Sequence, residues 1–65
     1  MRIEVNGEAR VVAGPTLADA LAELGWGEAR VATALNGAFL PKSARAEATL
    51  KDGDRLEVLA PMQGG

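Results

Sequence analysis

The residues with the clearest chemical prospect are Gly64 and Gly65, which follow Pro61, Met62 and Gln63 at the end of the sequence. Neither glycine carries a Cβ, so this stretch can thread a channel too narrow for side chains and approach a reacting centre without steric penalty. The Gly65 α-carboxylate, with an ordinary pKa of about 3.3–3.7, is ionised at neutral pH. It is a poor acyl donor, because oxide does not leave. Attack of the carboxylate on the α-phosphate of ATP changes that. Pyrophosphate departs, an acyl-adenylate remains, and a nucleophile, sulfur among them, can displace AMP.

The rest of the sequence offers little catalysis of its own. Cys, His and Tyr are absent, which removes the sulfur relay, the disulfide, the usual neutral-pH base and the commonest metal ligand. No phosphate-cradling loop of the Walker type occurs. The carboxylates Glu4, Glu8, Asp19, Glu23, Glu28, Glu47, Asp52, Asp54 and Glu57 are spread along the whole chain, and none forms an evident dyad. Asp52-Gly53-Asp54 falls far short of a calcium loop. The expectation is therefore a protein co-substrate, not an enzyme. It would bind no cofactor, and ATP and Mg²⁺ would be used by a partner enzyme.

The net charge of -2 and the scatter of the seven Lys and Arg residues argue against a nucleic-acid partner, which needs concentrated basic surface. No apolar run reaches the length of a membrane span. Met1-Arg2-Ile3-Glu4-Val5 alternates like a strand and lacks the apolar region of a signal peptide, so the expected location is the cytoplasm.

These 65 residues allow one domain. Met1, Ile3 and Val5 have the period of a half-buried strand, and Asn6-Gly7 is a two-residue hairpin signal leading to a second strand over 8–12. Thr16 with Asp19 reads as a capping box, and Leu17, Leu21 and Leu24 form one apolar helical stripe closed at Gly25. Strands over 31–35 and 38–40 flank a second turn, Asn36-Gly37. Residues 42–51 are polar, with room for one helical turn, and Leu50 is the core contact among them. Lys51-Asp52-Gly53-Asp54 turns into a last strand over 55–60, and Pro61 ends pairing. The order predicts an α+β domain over 1–60, a mixed sheet of about five strands with one helix on one face, and a flexible tail over 61–65.

A carrier with no catalysis of its own must be recognised through its folded part. Leu59 breaks the alternation of the last strand by placing a large apolar group opposite Leu56 and Val58. It reads equally as a residue buried in a central strand or as an exposed docking residue. Phe39 reads first as core or edge filler and second as a neighbour of Leu59. Pro61 and Met62 would extend such a patch, Met being suited to a surface that fits several partners. Met62, Gln63 and Gly64 would thread the partner's active site. Trp26 reads as a plug at one end of the core.

Four stretches together resemble a known family: the hairpin around Asn6-Gly7, AGPTLADALAELG at 13–25, ALNGAFLPKS at 34–43, and LKDGDRLEVLAPMQGG at 50–65. They resemble ThiS, the small sulfur carriers of thiamine thiazole biosynthesis within the ubiquitin-like β-grasp superfamily. The resemblance covers most of the chain. It implies a β-grasp fold and a Gly65 carboxylate that is adenylated and converted to a thiocarboxylate, whose sulfur enters the thiazole ring. The implied partners are a ThiF-like adenylating enzyme, a thiazole synthase, and a sulfur donor system such as a cysteine desulfurase. One departure stands out. Many members carry a Trp shortly after an LPRS-like stretch, where this chain has Ala44-Arg45-Ala46; no interface is expected on that segment. A carrier for molybdopterin or tRNA thiolation shares the same features, and a ubiquitin-like modifier conjugated through Gly65 shares the chemistry as far as the adenylate. A plain interaction module would leave the Gly-Gly inert.

Overall fold

The computed structural model describes residues 1–27 and 30–60. Strands β1 (Arg2–Val5) and β2 (Glu8–Val11) form the opening hairpin, followed by helix α1 (Leu17–Glu23). Strands β3 (Ala32–Leu35) and β4 (Ala38–Leu40) form the second hairpin, a 3₁₀ segment covers Lys42–Glu47, and β5 (Arg55–Leu59) comes last. The sheet order is β2-β1-β5-β3-β4. Only β1 and β5 run parallel, so the sheet is mixed as expected, and the last strand in sequence is central in space.

The helix is seven residues long, too short to persist alone in water. Its start is held by the expected reciprocal cap. The Asp19 amide donates to Thr16 Oγ1 at 3.1 Å, and the Thr16 amide donates to Asp19 Oδ2 at 3.1 Å. Its last residue does further work, since the Glu23 carboxylate accepts from the amides of Ala13 and Gly14 at 2.8 and 2.9 Å. That ties the loop leaving β2 to the helix. The apolar stripe Leu17, Ala20 and Leu21 is buried with Ile3, Val5, Val12, Leu50, Leu56 and Val58. Each large side chain among these contributes about 1.5–3 kcal/mol by leaving water. Trp26 packs partly buried against this core, as its position after the helix suggests.

Both hairpin asparagines do more than turn the chain. Asn6 and Asn36 sit at φ of +50° and +52°, left-handed geometry that Asn tolerates better than most residues. The β1–β5 ladder covers only Glu4↔Arg55 and Val5↔Leu56. Beyond it the Asn6 carboxamide stands in for backbone: the Val58 amide donates to its Oδ1 at 2.8 Å, and its Nδ2 donates to the Val58 carbonyl at 3.1 Å. On the other side Asn36 Oδ1 accepts from the Arg55 amide at 2.9 Å. The two turns thus clamp opposite ends of β5, the strand that leads into the tail.

Asp54 is buried at the entrance to β5. Its Oδ1 accepts from Asn36 Nδ2 at 3.0 Å and its Oδ2 from the Lys51 amide at 2.8 Å. The bond from Asn36, then that from the Lys51 backbone, hold its carboxyl below the ordinary 3.8 and outweigh burial, which acts the other way. A depressed folded-state pKa contributes stability that is present above the unfolded value and lost as pH falls through the folded one. The wild type is therefore expected to lose stability below about pH 4 more steeply than Asp54→Asn, measured by urea unfolding at pH 7 and pH 3. Equal losses in the two proteins would rule out Asp54 as the source.

Candidate functional site

The helix covers one face of the sheet and leaves the other open. On β5, Leu56 and Val58 point to the helix, while Arg55, Glu57 and Leu59 are exposed. Register places Ala32 opposite Leu59 and Ala34 opposite both Glu57 and Phe39, so these five residues share the open face. Leu59 and Phe39 are each 70 % exposed, which decides between the two readings of Leu59 in favour of the surface. Phe39 is not a core residue; it lies on the edge strand β4, whose outward side has no second layer. Both line a shallow depression of about 170 Å³ floored by Ala32, Thr33 and Ala34.

Leu59 is the last residue of β5, and Ala60 beyond it is exposed. The apolar pair Leu59 and Phe39 therefore lies at the root of the tail. Pro61, Met62, Gln63, Gly64 and Gly65, the other residues singled out from sequence, lie outside the described residues.

The segment that departs from the family pattern holds a feature sequence reasoning missed. Arg45 is only 8 % exposed, on the 3₁₀ segment. Its Nε donates to Thr33 Oγ1 at 3.1 Å and its Nη2 to the Val31 carbonyl at 2.6 Å. Thr33, itself buried, donates its hydroxyl to the Leu40 carbonyl at 2.8 Å. These bonds offset the cost of burying polar groups and rivet the 3₁₀ segment to β3. A lone Arg between alanines carries no sequence signal of burial, because the partners are 12 and 14 residues away.

A mixed five-stranded sheet gripping one helix, with the last strand in sequence at its centre, defines the class: a small β-grasp domain. The structure superimposes with a TM-score of 0.83 on the thiamine biosynthesis protein ThiS from Geobacter metallireducens, 36% identical, with both chains covered in full. The chain is 45% identical over 62 residues to the sulfur carrier protein ThiS of Thermus thermophilus, covering 94% of this chain and 95% of that one. It is 39% identical over 66 residues to a thiazole synthase of Paramagnetospirillum magneticum, and spans 20% of that protein's length. The ThiS family profile matches residues 3–65. The chain belongs to the ThiS family.

Proposed function

We propose that this chain is a sulfur carrier for thiamine biosynthesis, working through Gly65. The Gly65 carboxylate attacks the α-phosphate of ATP within a ThiF-like adenylating enzyme, which supplies the Mg²⁺. Pyrophosphate leaves, a persulfide drawn from a donor such as a cysteine desulfurase displaces AMP to give an acyl disulfide, and a thiol of the partner proteins cleaves its S–S bond, leaving the inner sulfur on Gly65 and itself entering a disulfide with the donor. The resulting thiocarboxylate is nucleophilic at neutral pH and delivers sulfur to the thiazole ring on a thiazole synthase. Leu59 and Phe39, with Pro61, dock the folded part, while Met62, Gln63 and Gly64 carry the reacting end inward.

The observation that supports this reading best is the family match running through residue 65, on a domain whose central strand feeds the Gly-Gly end. The similarity to a thiazole synthase fits a carrier that works beside that enzyme.

The test is an intact mass of the protein isolated from its own cells grown without thiamine. A population heavier by one oxygen-for-sulfur exchange, localised to the Gly65 carboxyl, is the expected result. Unmodified mass only, with no adenylate formed when ATP and the cells' adenylating enzymes are added, would overturn the proposal. Conjugates of high molecular weight would point to a protein modifier instead.

A further inference from the structure

On the other side of Leu59 from the Phe39 depression lies a second, larger groove of about 580 Å³. Ala32 and Leu59 line both hollows, so Leu59 is the ridge between them. Three cationic side chains, Arg30, Lys42 and Arg45, line this groove, and among the described residues no carboxylate does. In sequence the three are 12 and 3 residues apart and form no run; folding gathers them at the root of the tail. Arg30 and Lys42 are exposed, while Arg45 is buried and fixed by its bonds to Thr33 and Val31. A guanidinium has five N–H donors, so those two bonds leave donors to spare. Neither bond uses Arg45 Nη1. Nor does any described carboxylate lie within ion-pair distance of the three cations. On a chain of net charge -2, this concentration of positive charge is local.

We propose that this groove is the specificity half of the docking surface, and that it receives an acidic protrusion of the adenylating enzyme, a carboxylate carried beside an apolar side chain. The inference rests on the carrier reading. Its grounds are charge complementarity and continuity with the Leu59 ridge. Apolar contact at Phe39 and Leu59 is common to many surfaces, whereas a rigid guanidinium flanked by two exposed cations discriminates by charge and accelerates encounter. The groove opens beside Ala60, so an enzyme element seated in it lies next to the point where the tail departs.

The experiment is ATP–pyrophosphate exchange by the adenylating enzyme of the same cells, titrated with carrier. Arg30→Glu/Lys42→Glu reverses two exposed charges and spares Arg45, which the fold needs. Its KM for carrier is expected to rise at least about tenfold with kcat within about twofold, and added salt should raise the wild-type KM but not the variant's. Arg2→Glu/Arg10→Glu, the same charge change on β1 and β2, across the central strand from β3 and β4, should leave KM unchanged. An unaltered KM in Arg30→Glu/Lys42→Glu overturns the inference while the carrier reading stands. A lowered KM also overturns it. Absence of exchange with the wild type removes the carrier reading and this inference with it.

Discussion

Deletion of Gly65 is expected to abolish thiocarboxylate formation completely and to leave the unfolding transition where it was. The core residues Ile3, Leu17, Leu56 and Val58 all lie within residues 1–60 and are untouched by the deletion. In the proposed mechanism the reacting atom is the Gly65 carboxyl oxygen, so the chemistry is lost with that residue. One extra alanine appended after Gly65 should be as damaging as the deletion. It displaces the carboxylate by roughly 3.3–3.6 Å along an extended chain. A displacement of about 1 Å can already cost on the order of 100-fold when reacting atoms must meet in line. Gly64→Leu should fail for a different reason, since its side chain cannot follow the tail into a channel shaped for glycine. Mass spectrometry of each variant after incubation with ATP, adenylating enzyme and sulfur donor provides the readout. Thiocarboxylate on the extended variant, without trimming, would eliminate the mechanism.

Two leucines three positions apart on β5 should fail in opposite ways. Leu56 is 1 % exposed, beneath the helix. Leu56→Ala removes buried methyl groups and leaves a cavity, at a cost of about 2–5 kcal/mol. A single core of this size rarely supplies more than about 3–5 kcal/mol, so most of that variant should be unfolded at 37 °C. Leu59→Ser, on the exposed face, should stay within about 0.5 kcal/mol of the wild type in urea unfolding. Its defect should instead be in docking. An apolar residue at the centre of an interface is worth about 2 kcal/mol or more, so KM for the carrier should rise on the order of thirtyfold with kcat little changed. A Leu59→Ser variant that is fully folded and adenylated with wild-type KM would remove Leu59 from the docking surface.

Much of this architecture is legible in the order of amino acids, and for a physical reason. Period-2 alternation in Ile3 and Val5 and in Leu56 and Val58, the Thr16–Asp19 cap, the Leu17–Leu21 stripe and two Asn-Gly turns are all short-range signals. Each is set by backbone sterics or by neighbours within four residues, so the order of elements and the positions of the turns follow from the amino acids alone.

Other features depend on which strand lies beside which, and only the tertiary structure decided those. Leu59 is exposed because one helix covers one face of the sheet and β5 turns its odd-numbered residues the other way. Phe39 is exposed because β4 is an edge strand with nothing stacked beyond it. Asn6 clamps Val58 across 52 residues of sequence, because the parallel β1–β5 pairing brings the first hairpin to the last strand. Arg45 is buried because β3 offers it a hydroxyl and a carbonyl, and the same placement sets it beside Arg30 and Lys42. By itself the sequence determined the elements and the turns, through interactions within a few residues. The open face with Leu59 and Phe39 and the cationic groove beside it are assembled from residues far apart in the chain, and long-range strand pairing brings them together.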